Sequence, residues 1–459
     1  MNFMLVAILI VTIFIVALSA RITANPHKNI ILENTIQQEH LNEPEITKLR
    51  KEYKLRLLQI AGVISLLSLL LLLCPYDSLL MLGFLVIVIG SIASQFYCQV
   101  YYIRKMRLLI VKNHWTVEVS PMVIDTKLVA EKNKKMLSMW WLLPALLLTI
   151  AGCIYTLVVL GSTTIAWLFI AISVILTVLF VAMYYSLSRL PVKSYTADTA
   201  INKQYNNLFR HHWSVILVAL FWVFVPISIL PVLSLQMDYQ LMQYLMIGFM
   251  AFVFLDVLFS IYYLYDLRKK QDKLIEQAPA YRYTGDDAYW KFGIYINPND
   301  SRLMVADRVG MNMSINLGKK SAKVIMSLTG ILLSCLFFIT LVPMFLADFG
   351  HSPFQATISK EQVTLQAPFS ETSLSLNDIE EVSLIKQLPN DRVRVFGTGT
   401  ENYQLGEFKV DDKAATLYVD TSSSPILKIQ TKKKDYYFTS KDSKNTESTY
   451  TKLKDRLTE

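Results

Sequence analysis

The sequence predicts a membrane all-α protein, an eight-transmembrane-helix bundle with a C-terminal, extracytoplasmic antiparallel β domain closed by one helix. Three observations predict this class: long uncharged apolar runs, basic connections that alternate with uncharged turns, and a change to period-two patterning near residue 350. Of the 459 residues, 53% are hydrophobic and 18% are charged. Soluble proteins carry about 25% charged residues, so the composition excludes an ordinary soluble protein and excludes disorder for most of the chain.

Eight apolar segments are long enough to span a bilayer, because about 20 residues of helix cross about 30 Å of hydrocarbon. They are residues 3–20, 57–75, 79–101, 138–160, 164–186, 214–234, 240–264 and 324–346. The first segment lacks the basic start of a signal peptide, so an uncleaved anchor is favoured over a cleaved one. Spans two to seven are interpreted as three helical hairpins, because the turns inside the pairs are only a few residues long.

Lys and Arg residues predict the orientation of the spans. The connections 21–56, 103–135, 187–212 and 266–323 hold seven, eight, four and eleven of them, whereas the short turns between the other spans hold none. Basic connections are retained on the cytoplasmic side of a membrane. We therefore expect a multi-pass plasma-membrane protein whose N-terminus and C-terminal domain both lie outside the cytoplasm. The fifteen cations from residue 347 onward do not oppose this, since long domains translocate largely regardless of charge.

The sequence carries no signature of catalysis, metal binding or cofactor binding. Its four cysteines lie in or at the ends of the predicted spans and form no CxxC or Cys/His cluster, which favours structural thiols. Zinc-protease, nucleophile-elbow and phosphate-binding glycine motifs are missing as well. A non-enzymatic protein without cofactor or metal is expected.

Three polar side chains inside the predicted spans are candidate binding residues. Asp256 is the only acidic residue well inside a span, and carboxylates in hydrocarbon usually face the bundle interior or water. Gln95 and Gln99 are spaced i, i+4 and share one helix face. One hypothesis is a polar cavity formed by all three that binds a peptide, an ion or a proton. The alternative is hydrogen bonding between helices that stabilises their packing.

The region from residue 347 onward has the pattern of a small β domain. Its fifteen basic and seventeen acidic residues nearly balance, which disfavours a nucleic-acid partner. Period-two runs predict strands at Phe354–Ile358, Gln362–Leu365, Ser373–Leu376, Val393–Phe396, Glu407–Val410, Ala415–Val419, Ile426–Ile429 and Tyr436–Thr439. Turns are predicted at 397–399 and 411–412. A closing amphipathic helix is indicated by one face made of Thr446, Tyr450, Leu453 and Leu457.

The tail also contains a pattern of glycines and aromatic residues that resembles a known family. The stretch 394–408 is followed by Leu417-Tyr418-Val419-Asp420, by Pro425-Ile426 and by the terminal helix, and its marked residues are Gly397, Gly399, Gly406 and Phe408. This pattern resembles bacterial pleckstrin-homology-like (PH-like) domains. The resemblance implies a seven-stranded curled sheet closed by a C-terminal helix, and a role in scaffolding or peptide binding.

Residues 281–320 form the most distinctive polar stretch. An Asn-Pro-Asn-Asp turn former lies among aromatic residues and predicts a small hairpin beneath the helices. The marked positions are Trp290, Gly293, Tyr295, Asn297, Pro298, Asp300, Asn316 and Gly318. This block resembles a domain of unknown function in membrane proteins of Gram-positive bacteria, and such proteins are loosely related to the immunity family for the sporulation-delaying toxin. The side chains of Asp286, Asp287, Asn299 and Asp300 could hold a divalent cation, but turn and cap roles are favoured and no metal is expected.

The predicted division of the chain follows from these observations. It consists of an anchor helix with a basic cytoplasmic loop (1–56), a six-helix membrane bundle (57–265), a cytoplasmic domain of unknown function (266–323), a last transmembrane helix (324–346) and the extracytoplasmic PH-like domain (350–459). The resemblances favour sensing of, or immunity to, membrane-active peptides or envelope stress. The expected partners are the lipid bilayer, toxic peptides or envelope proteins outside, and a cytoplasmic regulator. The alternatives are a proton- or ion-coupled secondary transporter that uses Asp256, and a scaffold whose PH-like domain recruits envelope proteins.

Overall fold

The computed structural model describes residues 2–120, 126–192, 194–237, 239–278, 282–283, 285–310, 312–351, 353–400 and 402–458. Within these ranges, eight helices are long and apolar enough to cross a membrane by length and composition. They are α1 (Asn2–Arg21), α2 (Pro44–Ser68), α3 (Asp77–Lys112), α5 (Leu142–Leu160), α6 (Thr164–Arg189), α7 (Thr199–Phe224), α9 (Tyr239–Glu276) and α10 (Lys320–Phe349). Shorter helices are α4 (Thr126–Ala130), α8 (Leu230–Gln236) and the terminal α11 (Ser443–Thr458).

Each long helix overlaps one predicted apolar segment, and four of them extend well beyond it. Helices α2, α3, α7 and α9 continue about three to four turns beyond the apolar segment into the polar connections. The segment 214–234 is instead interrupted, because α7 ends at Phe224 and a 3-10 turn over Val225–Ser228 precedes α8. Pro226 accounts for this break, since proline lacks the donor that an α-helix requires and disfavours helical geometry in the residue before it.

The most extensive contacts between helices divide them into two sets. Helices α1, α2 and α3 pack on one another and α10 packs on α3, whereas α5, α6 and α7 pack together and α9 packs along α7. Leu9 and Ile13 of α1 are buried against the first set, and Phe180 packs on Phe221 inside the second. The apolar windows of α9 and α10 have no buried residues, so both helices present large apolar surfaces. Surfaces of this kind mark contact with lipid or with another protein.

Within residues 353–400 and 402–458, the C-terminal domain contains nine strands in two sheets. A three-stranded antiparallel sheet has the order β5-β6-β7, and a six-stranded sheet has the order β8-β12-β13-β11-β10-β9. The strands are β5 (Gln355–Ile358), β6 (Gln362–Ala367), β7 (Ser370–Ser375), β8 (Ile379–Ile385), β9 (Arg392–Gly399), β10 (Tyr403–Val410), β11 (Lys413–Asp420), β12 (Ile426–Thr431) and β13 (Asp435–Phe438). The predicted face of α11 packs on this core, with Thr446 and Leu453 fully buried.

The structure corrects four details of the predicted domain. It has nine strands rather than seven, and β8 falls where no strand was predicted, because two adjacent glutamates at 380–381 obscure the alternation. The sheet is not wholly antiparallel, since β11 and β13 run parallel. Residues 397–399 end β9 instead of forming a turn. Gly397 lies opposite Gly406 of β10, and a Cβ atom on Gly397 would overlap the carbonyl oxygen of Leu405. The predicted turn at 411–412 is confirmed, with positive φ at both aspartates as in a tight two-residue hairpin.

Two small hairpins lie in the polar connections. The first joins β1 (Ile30–Ile31) to β2 (Asn34–Thr35), and the second joins β3 (Met304–Ala306) to β4 (Met313–Ile315). The second hairpin falls within the predicted 281–320 block, although it follows the Asn-Pro-Asn-Asp turn instead of being built on it. The four long polar connections meet at one end of the helices, which we call the loop face. The C-terminal domain contacts the other end, which we call the domain face.

Candidate functional site

On the loop face, Asn316 holds the Asn-Pro-Asn-Asp turn in place. Its side chain is fully buried, and its Oδ1 accepts hydrogen bonds from the backbone N–H groups of Asn297 and Gly318, each at 3.0 Å. Its Nδ2 donates to the carbonyl oxygen of Asn297 at 2.8 Å. Gly318 is required at this point, because a Cβ atom there would overlap the backbone between Asn297 and Pro298. Asn297, Asn316 and Gly318 therefore stabilise one another within one folded turn.

Asp300 is engaged by its neighbours and is not available as a metal ligand. The Tyr295 hydroxyl donates to Asp300 Oδ2 at 2.9 Å, and Arg302 Nε donates to both carboxylate oxygens at 2.8 and 2.9 Å. Burial raises the pKa of Asp300, but the hydrogen bonds from Arg302 and Tyr295 outweigh burial and lower the pKa to about 2. In the part of the chain that the structure describes, no group of three or more metal-ligating side chains is found.

The rest of the 281–320 motif packs against α3. Trp290 is buried, with its ring 5.2 Å from that of Tyr295 and in contact with Val305. Gly293 has φ of 71°, and a Cβ atom there would lie 3.3 Å from Nε2 of Gln99 on α3. The motif and the predicted binding residue Gln99 thus meet on the loop face.

A buried ionic cluster joins this motif to the first connection. We define it as His27, Glu33, Arg268, Asp272, Asp287 and Arg308. Arg308 donates to Asp287 Oδ1 and to Thr35 Oγ1, both at 2.6 Å, and to the carbonyl oxygen of Glu33 at 2.7 Å. Asp287 in turn accepts from the backbone N–H of Thr35 at 3.0 Å. All four side chains are buried, so the charges of Asp287 and Arg308 compensate each other away from solvent.

The same cluster reaches α9 through Arg268 and Asp272. Arg268 donates to the carbonyl oxygens of Asn25 at 2.5 Å and Val309 at 3.2 Å. His27 Nδ1 lies 2.7 Å from Asp272 Oδ1. The cluster therefore connects the first set of helices, through the connection after α1, with α9 of the second set.

A cavity of about 10 Å³, roughly one water site, lies inside the ionic cluster. Glu33 Oε2 and His27 Nε2 are buried near it and have no hydrogen-bond partner among the residues that the structure describes. Burial raises the pKa of Glu33 to about 8, although Arg308 opposes this rise. Burial also lowers the pKa of His27 well below its usual value of 6.5, and nearby Lys28 and Arg268 lower it further. At neutral pH, Glu33 is therefore mostly protonated and His27 is neutral.

On the domain face, the β9–β10 hairpin lies across both sets of helices. At one end of β10, Asn402 Nδ2 donates to the carbonyl oxygen of Pro75, in the turn before α3, at 3.2 Å. At its other end, Lys409 Nζ donates to the carbonyl oxygen of Met237, in the turn before α9. Lys441 adds a third attachment by donating to the carbonyl oxygen of Asp348 in α10 at 2.9 Å. The hairpin carries all four marked residues of the tail, Gly397, Gly399, Gly406 and Phe408, of which Phe408 is buried in the core.

The described contacts do not bring the three candidate residues of the spans together. Gln95 is buried, and its Nε2 donates to Ser91 Oγ at 3.0 Å and to the carbonyl oxygen of Ile13 on α1 at 3.4 Å. Asp256 lies within α9, seven residues before Tyr263. The Tyr263 ring stacks on the His212 ring of α7, with the ring centroids 4.2 Å apart. Asp256 therefore lies on the α7 side of α9, and its Oδ2 is buried and has no hydrogen-bond partner in the described part of the chain. No contact joins Asp256 to either glutamine among the interactions described.

Sequence reasoning missed most of the ionic cluster. His27, Glu33, Arg268 and Asp272 lie in no motif, and their spacing along the chain carries no period. The available signal was the polar stretch 281–320, which contains Asp286, Asp287 and Arg308 but gives no indication of their partners in the first connection.

The comparisons with known proteins bear on the C-terminal domain. The family described as bacterial PH domain matches residues 354–453. No curated protein and no solved structure matches the chain. The match covers β5 to the middle of α11, so the C-terminal domain is PH-like, as the glycine and aromatic pattern predicts.

Proposed function

We propose that this chain is a non-enzymatic integral membrane protein that senses, or gives immunity to, membrane-active peptides. Its PH-like domain lies outside the cytoplasm and binds the peptide. The loop face lies in the cytoplasm and passes the signal to a regulator. The large apolar surfaces of α9 and α10 support placement in a bilayer, and the alternation of basic connections supports the orientation.

Transmission of a signal between the two faces is supported by one observation. Helices α3 and α10 each extend from the domain face to the loop face. α3 begins at Asp77, beside the turn that Asn402 holds, and near its other end Arg107 lies 3.4 Å from Asp287 in the ionic cluster. α10 begins two residues after Gly318 and ends beside the attachment of Lys441 to Asp348. Helices of 36 and 30 residues are about 54 and 45 Å long, so each extends from one face to the other as one continuous helix.

The two sets of helices are the parts that move relative to each other. The β9–β10 hairpin bridges them on the domain face, and the ionic cluster bridges them on the loop face. A ligand that shifts the PH-like domain therefore changes the position of one set of helices relative to the other. The ionic cluster then rearranges, because packed charges have few alternative arrangements. Relative movement of rigid bodies about an interface is a common switching mechanism.

Cell survival tests this function. Cells that carry the wild-type chain, no chain, or the double variant Asn402→Ala/Lys409→Ala are challenged with a panel of membrane-active peptides. We expect selective protection by the wild type and its loss in the double variant at equal protein level. Lys360→Ala, in the exposed β5–β6 turn, is the control and should protect fully. Absence of protection against every peptide would refute the proposal.

A proton- or ion-coupled transporter is the second candidate, and Asp256 favours it. Its Oδ2 and the Ser260 hydroxyl, one turn along α9, are both buried, and neither has a hydrogen-bond partner within the ranges that the structure describes. Proton-dependent uptake that Asp256→Asn abolishes would support transport. Peptide protection that survives the same substitution would instead support sensing.

A further inference from the structure

The β6–β7 hairpin carries a prominent exposed aromatic residue at its tip. Phe369 is 79% exposed, and its backbone adopts φ of 62°, a left-handed conformation that is unfavourable for a bulky residue. Pro368 precedes it, and Ala367 pairs with Ser370 to close the turn. A strained backbone that holds a large apolar side chain out of the domain core points to a role outside that core.

The path of the chain places this tip beside the end of α10. β5 leads away from α10, and β6 returns antiparallel, with Gln366 opposite Gln355 at the start of β5. The tip therefore lies at the α10 end of the sheet. An open groove of about 530 Å³ confirms this proximity, because Phe369 and Pro368 line it together with Leu346 in the last turn of α10. The β5–β6 turn around Lys360 lies at the opposite end of the same sheet.

Other exposed aromatic side chains mark the same end of the helices. Tyr76, before α3, packs on Phe349 at the end of α10 with ring centroids 4.8 Å apart, and both are largely exposed. Trp167 is exposed in the first turn of α6, after the short turn from α5. Aromatic side chains concentrate at membrane–water interfaces, where one part of the ring is apolar and the other contacts water.

We infer that Phe369 inserts into the interfacial layer of the lipid bilayer and attaches the PH-like domain directly to the membrane surface. This inference rests on the proposed membrane-spanning arrangement. Phe369 lies beside Leu346, which is 44% exposed in the last turn of α10, while its neighbours Met344 and Ala347 pack into the domain core. The occupant is lipid because the apolar window that precedes this turn in α10 has no buried residues, so the bilayer around α10 ends beside the hairpin tip. The domain then senses the bilayer surface itself, since a peptide that enters the interface competes with Phe369 for the same layer.

Tryptophan fluorescence with brominated lipids tests the inference on the full chain in lipid vesicles. Phe369→Trp adds an emitter at the hairpin tip, and Lys360→Trp adds a matched emitter at the opposite end of the sheet. Lipids with bromine near the top of the acyl chain should quench the added emission of Phe369→Trp and leave that of Lys360→Trp unchanged. Equal quenching of the two added emitters, or none in either, overturns the inference.

Quenching of the wild-type protein distinguishes failure of the hairpin insertion from failure of the membrane-spanning arrangement. Trp140 and Trp167 are exposed at the ends of α5 and α6, so brominated lipid should quench the native emission wherever these helices lie in a bilayer. Quenched native emission with an unquenched Phe369→Trp emitter refutes only the hairpin insertion. Unquenched native emission refutes the membrane-spanning arrangement and the insertion with it.

Discussion

The side-chain amide of Asn402 donates a hydrogen bond to the carbonyl oxygen of Pro75 at 3.2 Å, across 327 positions of the sequence. Lys409 and Lys441 also donate to backbone carbonyl oxygens of the helical region, and Met344 and Ala347 at the end of α10 pack into the apolar core of the PH-like domain. The domain is therefore attached to α10 by apolar packing and to the turns before α3 and α9 by individual hydrogen bonds. Loss of one of these hydrogen bonds removes a small part of the attachment.

Removal of the Asn402 side chain should loosen the domain without unfolding it. A single neutral hydrogen bond contributes about 0.5–1.5 kcal/mol, which is far below the stability of a folded domain. We expect Asn402→Ala to increase hydrogen exchange in the turn at 74–78 while exchange in the domain core stays unchanged. Lys360→Ala should alter neither region. Unfolding of the core in Asn402→Ala would contradict a purely local role.

Loss of the Arg308 side chain should destabilise the whole loop face. Asp287 would remain buried without its closest cation, and breaking a buried ion pair costs about 3–5 kcal/mol. Arg308→Met should therefore lower the thermal unfolding temperature of the detergent-solubilised protein strongly. Lys105→Met breaks the exposed pair of Lys105 with Glu52 and serves as the control, since surface pairs contribute about 0–1 kcal/mol. Equal effects of the two substitutions would refute the structural importance of the cluster.

Glu33 should make the stability of the protein depend on pH. Its pKa is raised from 4.5 to about 8, so the folded state binds this proton more tightly than the unfolded state does. The free energy of unfolding should accordingly fall as pH rises from about 4.5 to about 8. Glu33→Gln keeps the shape of the protonated carboxyl and removes its titration. Thermal unfolding across this window should show a smaller decline in Glu33→Gln than in the wild type, whereas the exposed Glu39→Gln should follow the wild type.

The Asn316 side chain should be essential for the 297–302 turn. Asn316→Ala leaves the half-buried backbone N–H groups of Asn297 and Gly318 without their acceptor, and a fully buried group left unsatisfied costs about 1–3 kcal/mol, which is the upper bound for each. We expect a clearly lower unfolding temperature and faster proteolysis within residues 285–320. The exposed Asn299→Ala is the matched control within the same turn. Wild-type proteolysis in Asn316→Ala would show that the turn does not need this side chain.

Parts of the architecture follow from local patterns. The eight helices and eight of the nine strands appear where apolar runs and period-two patterning predict them, because both patterns report which side chains avoid water. The strand β8 was missed because its two adjacent glutamates break the alternation. The predicted turn at 397–399 was wrong for a different reason. Its glycines serve the close approach of Gly397 to Gly406 on the neighbouring strand, and a single sequence does not reveal which backbone lies opposite.

The sequence by itself determined the long apolar helices, the change to a β domain, the terminal helix and the PH-like pattern, since each depends on residues close together in the chain. Only the tertiary structure decided how the helices divide into two sets and that Asp287 and Arg308 join Thr35 and Glu33. It also decided that Phe369 lies beside Leu346. These relationships join residues far apart in sequence, and no local period encodes them. They arise when apolar packing brings the polar connections together, because buried charges then require partners from whichever segment is nearest.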